Sequence, residues 1–166
     1  MPDGDAWYDG ILRAAGCRPR VIAHCHRVRD RALLFCDRSG VADRGLVNAG
    51  ALLHDIGRGI SHSLSHAQAG AAWCREHGIP EEVVRVVERH TGAGLTADEC
   101  TLLRLLPVDC MPETIEEKIV ATADNVVRGG HEVSIHDRLA ESLYLNRGIR
   151  SRIYRLWLET EQFRRS

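Results

Sequence analysis

Apolar side chains along this chain recur every three or four positions and nowhere alternate cleanly with polar ones, which is the spacing of amphipathic helices. Val21, Cys25, Val28, Ala32 and Phe35 form one such stripe. Pro19, whose fixed φ and missing N–H suit a first helical turn, opens it, and the helix ends before Gly40. A second helix is predicted from Asp43, a hydrogen-bonding N-cap, through Leu46, Val47, Ala51, Leu52 and Leu53 to a stop at Gly57. Its last turn carries His54 and Asp55. Beyond a loop of glycine, serine and histidine, a helix reads from about Leu64 to His77 with Gly78 behind it. Pro80 opens another, whose first turn sets Glu81 and Glu82 against the positive end of the helix dipole.

Thr96 with Glu99, and Thr114 with Glu117, have capping-box spacing, in which side chain and backbone satisfy each other's hydrogen bonds at a helix start. The helix opened by Thr114 carries Ile115, Ile119, Val120, Ala123, Val126 and Val127, an apolar surface broad enough for a buried element, and is expected to run to Gly129-Gly130. Asp124 lies within it. A polar stretch from His131 to Asp137 leads to a last amphipathic helix at about 149–164, with Ile149, Ile153, Leu156, Trp157 and Thr160 on one face. Arg147, Arg150, Arg152 and Arg155 cover the rest. No repeat, low-complexity tract or linker divides the chain, so residues 1–166 are expected to form one all-α, single-domain helical bundle.

Composition adds little to the fold and more to the chemistry. With 44% hydrophobic residues, 27% charged and a formal net charge of −1, global charge selects no partner. The six cysteines include no Cys-x-x-Cys pair, which argues against a structural zinc or redox motif and for buried thiols in a reducing cytoplasm. Asp3 and Asp5 stand where a leader would carry basic residues, and no stretch approaches about 18 apolar residues, so neither secretion nor a membrane span is expected. Nine histidines are the compositional oddity, because imidazole is a metal ligand.

Three stations hold the informative residues: His24, the adjacent pair His54-Asp55, and Asp124. Their donors are the nitrogen and oxygen atoms that borderline divalent metals prefer. Neighbouring helical residues diverge by about 100°, so His54 and Asp55 can flank one ion only at a helix end, which Gly57 supplies. His24 interrupts an apolar neighbourhood, and Asp124 sits among Val120, Ala121 and Val127. Taken singly, each reads as a hydrogen-bonded core polar group; taken together they read as a ligand set.

On these residues the chain resembles the HD superfamily of metal-dependent phosphohydrolases, whose ligands come in the order His, His-Asp, Asp. "HCHRV" (His24 to Val28) is similar to the first-histidine motif, "LLHDIGR" (Leu52 to Arg58) to the central one, and "EKIVATADNV" (Glu117 to Val126) to the final aspartate helix. His26 competes with His24, but the four-residue spacing to Val28 favours His24. The likeness spans roughly Val21 to Val127 and extends to small archaeal HD-domain proteins with a histidine-rich segment after the central motif. It implies the HD-type bundle and a metal held by His24, His54, Asp55 and Asp124. "HAQAGA" (His66 to Ala71) and "VVERH" (Val86 to His90) resemble the insertions of members with two metals, which implies His66 and His90 as further ligands and Asp55 as a bridge. His62 has no settled facing, and His77, His131 and His136 read as surface or capping residues.

The resemblance implies hydrolysis of a phosphate mono- or diester, of a nucleotide or related small metabolite, by metal-activated water. Mn, Fe, Co, Ni or Zn, as one or two ions, suit the mixed donors better than Mg alone. Asp55 belongs to the catalytic set, and Arg58 and Arg128 are candidates to grip phosphate, Arg128 standing one helical turn beyond Asp124. Lys118 lies about 120° around the helix from Asp124 and is set aside. There is no Gly-x-Ser-x-Gly elbow, and "GAGLT" (Gly92 to Thr96) lacks a P-loop lysine. Two other classes stay open: a di-iron oxygenase of the HD-type fold, and a non-catalytic RNA-associated module using the arginine-rich last helix. The solvated face is the simpler account of those arginines. A small phosphate ester is the expected partner, with no membrane, nucleic acid not favoured and oligomeric state open.

Overall fold

The computed structural model describes residues 4–165, so Asp3 lies outside the described residues. The order of elements is α1 (Asp5–Ala14), α2 (Pro19–Ser39), α3 (Arg44–Leu53), a 3-10 turn (Ile56–Gly59), α4 (His66–Glu76), α5 (Glu81–Arg89), α6 (Ala97–Leu102), α7 (Ile115–Val126), β1 (Val127–Arg128), β2 (His131–Glu132), α8 (Ile135–Ala140) and α9 (Arg147–Glu161), with a 3-10 turn (Gln162–Arg165) behind it. The all-α class read from the sequence is the class observed.

Helix α3 is central, because it is buried on two sides. Ala49, Leu52 and Leu53 pack with Tyr8 and Leu12 of α1, Cys25 of α2, and Val84 and Val87 of α5. Val47 and Ala51 pack with Val28, Ala32 and Phe35 of α2, Val86 of α5, and Ile119, Val120 and Ala123 of α7. Each fully buried Leu, Val or Phe contributes roughly 1.5–3 kcal/mol of apolar transfer. A smaller cluster of Ala93, Ala121, Ile135, Ile153 and Leu156 seats α8 and α9.

Local chemistry fixes the ends. Pro19 begins α2, and Gly40 caps it in the left-handed region at φ 66°. Asp43 Oδ1 accepts the Leu46 N–H at 3.0 Å. Both capping boxes form as their spacing predicts. Glu117 does more than cap: it is 2% exposed, accepts from the N–H of Glu113 at 2.7 Å, and takes a guanidinium N–H of Arg89 at 3.1 Å, which ties α5 to α7. Removing one partner of a buried ion pair costs about 3–5 kcal/mol. Glu117→Ala is therefore expected to lower the thermal midpoint by about 10 °C, at roughly 2–4 °C per kcal/mol for a chain of this size. Calorimetry checks this, and a drop below about 2 °C would show that the pair adds nothing.

The observed elements depart from the expected ones in four places. Helix α1 carries no side-chain cap at Gly4, so only the short stripe of Tyr8 and Leu12 marked it. α8 is six residues long, too short for a periodic signal, and is announced only by Ser134 accepting the Asp137 N–H at 3.1 Å. α3 ends at Leu53, leaving His54 as its C-cap and Asp55 outside it, and Gly57 sits within the following 3-10 turn. α7 stops at Val126, and the chain turns back as an antiparallel pair, Val127 opposite Glu132 and Arg128 opposite His131. Gly129 (φ 54°) and Gly130 (φ 89°) make that turn, because both central positions of such a hairpin need positive φ.

Candidate metal centre

Three of the site's four histidines, His54, His66 and His90, share one local device. His54 and His90 are the C-caps of α3 and α5, where backbone carbonyls lack intrahelical partners. His54 Nδ1–H donates to Ala51 O at 2.7 Å, and His90 Nδ1–H donates to Val87 O at 2.7 Å. His66, first residue of α4, donates from Nδ1 to Ser63 O at 2.8 Å. A carbonyl only accepts, so each Nδ1 carries a proton and each Nε2 is left to point into the site.

Those nitrogens surround Asp55, which divides its oxygens between two groups. Oδ2 lies 3.9 Å from both His24 Nε2 and His54 Nε2. Oδ1 lies 3.2 Å from His66 Nε2 and 3.6 Å from His90 Nε2. On the first side, Asp124 Oδ1 stands 2.9 Å from His24 Nε2 and 3.4 Å from His54 Nε2. The imidazole rings form an arc, with centroids 5.3 Å apart for His24 and His54, 4.9 Å for His54 and His90, and 5.1 Å for His66 and His90.

Two details call for a cation here. His54 Nε2 is buried and has no hydrogen-bond partner among the described residues, an omission that interiors rarely tolerate. His66 Nε2 and His90 Nε2 face each other at 3.1 Å although both rings already donate through Nδ1, so their lone pairs oppose one another unless a proton or a metal lies between them. Both donor sets, His24 with His54 and Asp124, and His54 with Asp55 and His90, bring their ligand atoms within 4.8 Å of one another. Nitrogen and carboxylate oxygen in this mixture fit a borderline divalent ion.

Burial works to raise the pKa of Asp55, but the imidazoles of His54, His66 and His90 hold it well below the usual carboxylate range. Burial likewise opposes ionisation of Asp124, and His24 and His54 hold it down. Burial also opposes a charge on His54, yet Cys25 and the carboxylates of Asp124 and Asp55 outweigh it and push that imidazole well above its ordinary value. His90 is pushed down by burial and stays neutral near pH 7. Asp55 and Asp124 are thus held as carboxylates, the negative charge that a bound cation would offset.

The structure thus brings His24, His54, Asp55, His66, His90 and Asp124 together. His26 is not among them: its Nε2 lies 2.7 Å from Asp9 Oδ1, which anchors α1 instead. Arg58 borders the site, donating from Nε to Asp55 Oδ1 at 3.3 Å and from Nη1 to His62 O at 2.9 Å. Arg128 does not. The chain has left the helix before it, so the expected one-turn relation to Asp124 is lost, and its Nε faces Glu141 at 3.9 Å. Lys118 pairs with Glu159 at 2.9 Å, and His77 stacks on Trp73. All six cysteines are free and buried. A cleft of about 620 Å³ opens over His24 and Asp55, walled by Arg58, His62, Arg20 and Arg27. Sequence reasoning passed over Arg20 and Arg27, although they share a helical face with His24 at −4 and +3.

A helical bundle with a His, His-Asp, Asp cluster of this order defines an HD-type domain. The family model described as HD domain matches residues 21–129, and the chain belongs to that family. It is 42% identical over 125 residues to an uncharacterized protein of Methanocaldococcus jannaschii, covering 73% of this chain and 74% of that one. It is 48% identical over 117 residues to a tRNA (cytidine(56)-2'-O)-methyltransferase of Picrophilus torridus, covering 70% of this chain and 34% of that enzyme, so it spans about a third of that relative's length. Among solved structures it is similar in fold to the HD domain of the L. monocytogenes phosphodiesterase PgpH in complex with cyclic-di-AMP, with a TM-score of 0.55, 19% identity, and coverage of 87% and 91% of the two chains. No helix among the described residues is long and apolar enough to cross a membrane.

Proposed function

We propose that this chain is a metal-dependent phosphodiesterase, cleaving a phosphate ester of a nucleotide at two divalent transition-metal ions. The observation that carries the reading is the division of Asp55, one oxygen toward His24 and His54 and the other toward His66 and His90. His24, His54, Asp55 and Asp124 would hold one ion, and Asp55, His66 and His90 the other. When bound, such ions bring the pKa of coordinated water near neutrality and neutralise charge developing on phosphoryl oxygens. The chain's own contribution is orientation. The three Nδ1–H···O=C bonds fix the tautomers of His54, His66 and His90, and Arg58 steadies Asp55 while presenting a guanidinium to the cleft. The phosphodiesterase named for the solved neighbour is consistent with this chemistry.

Elemental analysis of gently purified protein, with hydrolysis of bis(p-nitrophenyl) phosphate under Mn, Fe, Co, Ni and Zn, tests it. Two ions per chain are expected. His66→Ala and His90→Ala are each expected to reduce that to one and to lower diester hydrolysis by about 10²-fold or more. Unchanged metal content in both variants would remove the two-ion site, and oxygen uptake by iron-loaded protein without phosphate-ester cleavage would replace hydrolysis by oxidation.

A further inference from the structure

The cleft holds more positive charge than a single scissile phosphate can use. Arg20 and Arg27 stand on α2 about 6 Å before and about 4.5 Å after His24 along the helix axis, at 1.5 Å per residue. Both are exposed, both wall the cleft, and neither has an ion-pair or hydrogen-bond partner among the described residues. Other arginines of α2 are neutralised: Arg29, on another face, pairs with Asp5 at 2.9 Å and with Asp30 at 2.7 Å, and Arg31, one turn beyond Arg27 on the same face, pairs with Glu132 at 3.4 Å. Opposite Arg27 stands the Gly129-Gly130 turn. A Cβ on Gly130 would come within 3.1 Å of Arg27 Nη1, so the bare backbone lets that guanidinium lie against the turn and keeps the mouth open. Two free guanidinium groups on either side of the metal ligands form a short positive track with His24 at its middle.

We infer that the cleft takes a short nucleotide chain, with the scissile phosphate over Asp55 and the phosphates flanking it bound by Arg20 and Arg27. This rests on the phosphodiesterase reading and names its substrate class. Guanidinium suits both parts of such a ligand, because its fork matches phosphate and its plane stacks on bases. The side chains of Val21 and Ala23 supply apolar wall between the cations. Beyond Arg27 the adjoining cleft is lined by Asp30, paired with Arg29, and by Glu132, paired with Arg31, so it offers no further unpaired arginine for another phosphate. The track therefore favours a chain of two or three nucleotides over a long one.

The test compares two probes, bis(p-nitrophenyl) phosphate, which has no flanking phosphate, and the 5′-phosphorylated trinucleotide pApApA. Arg20→Gln and Arg27→Gln lie on the surface and leave the core intact. Each is expected to lower kcat/KM for pApApA by about 10-fold to 100-fold, chiefly through KM. The ratio of kcat/KM for pApApA to that for the small diester is expected to fall at least 10-fold. Binding of pApApA to metal-free protein, followed by fluorescence polarisation across a salt series, supplies a readout independent of turnover. The log–log salt slope should flatten by about 0.7 for each arginine removed. Equal losses on both probes, or an unaltered salt slope, overturn the proposal and leave the phosphodiesterase standing. Turnover of neither probe by metal-loaded wild-type protein, with the slope still flattened in the variants, overturns the hydrolase and leaves the phosphate track standing.

Discussion

Asp55→Asn is expected to empty at least one of the two metal positions and to lower kcat/KM for bis(p-nitrophenyl) phosphate by at least about 10³-fold, near 4 kcal/mol of transition-state stabilisation. Asparagine keeps the size of the side chain, so packing around a residue that is 9% exposed is preserved. What changes is charge and the number of ligand oxygens. One carboxylate oxygen becomes an NH2 that donates and cannot ligate, so at least one of the two imidazole groups loses its bridge. The remaining negative charge on the first side is then Asp124 alone, and on the second side there is none among the six converging residues. Arg58, which donates to Asp55 Oδ1 at 3.3 Å, would oppose a cation it previously faced across a carboxylate. Elemental analysis and diester hydrolysis on the same preparation check the claim, with far-ultraviolet circular dichroism as the control for folding. Two bound ions, or activity above a tenth of wild type, in a folded Asp55→Asn protein would end the bridging account.

That residue was legible in the chain because its neighbours are unusual in combination, and the same holds for the other ligands. A histidine inside an apolar stripe, a His-Asp pair at a helix end and an aspartate on a buried helix face are each expensive to bury alone. The long amphipathic elements were legible for a related reason: α2, α7 and α9 run long enough for a period of 3.6 to declare itself, and Pro19, Gly40, Thr114 and Glu117 mark where they start or stop. Short elements were not. α8 and the two-residue strands owe their form to one cap and one Gly-Gly turn, and their stability to the core beneath them. The arginines divide on the same principle. Arg58 follows the His-Asp motif directly, whereas Arg20 and Arg27 resemble any solvated helix face, and only the cleft distinguishes them from Arg29 and Arg31. Arg128 shows the opposite hazard, since its expected position assumed that α7 continued through a residue that the fold places in a strand.

Gly57→Ala is expected to be the most damaging single-methyl change in the chain, and to strike the second metal position first. The reason is a close approach of backbone to backbone and not a special φ. A Cβ at Gly57 would collide with the carbonyl oxygen of His66, and would lie 2.7 Å from the carbonyl carbon of His66 and 2.8 Å from Gly70 N. A Cβ at Gly70 would in turn lie 2.9 Å from Gly57 N, so two glycines let the 3-10 turn sit directly on α4. That contact carries His66 to within 3.2 Å of Asp55, two residues before Gly57 in the chain. Because the obstacle is backbone, relief requires α4 to move as a unit. Overpacking of this kind costs about 1–3 kcal/mol or more, or roughly 2–4 °C of thermal midpoint per kcal/mol. The comparison is Gly78→Ala, where φ is 72° and nothing stands within 4 Å of the added carbon, so only the left-handed backbone penalty of roughly 1–2 kcal/mol applies. Gly57→Ala should therefore melt lower than Gly78→Ala and should bind about one ion where Gly78→Ala binds two. Differential scanning fluorimetry and elemental analysis of the two variants together decide it: if Gly57→Ala melts within 1 °C of wild type with both ions in place, the packing of the turn on α4 is not what positions His66.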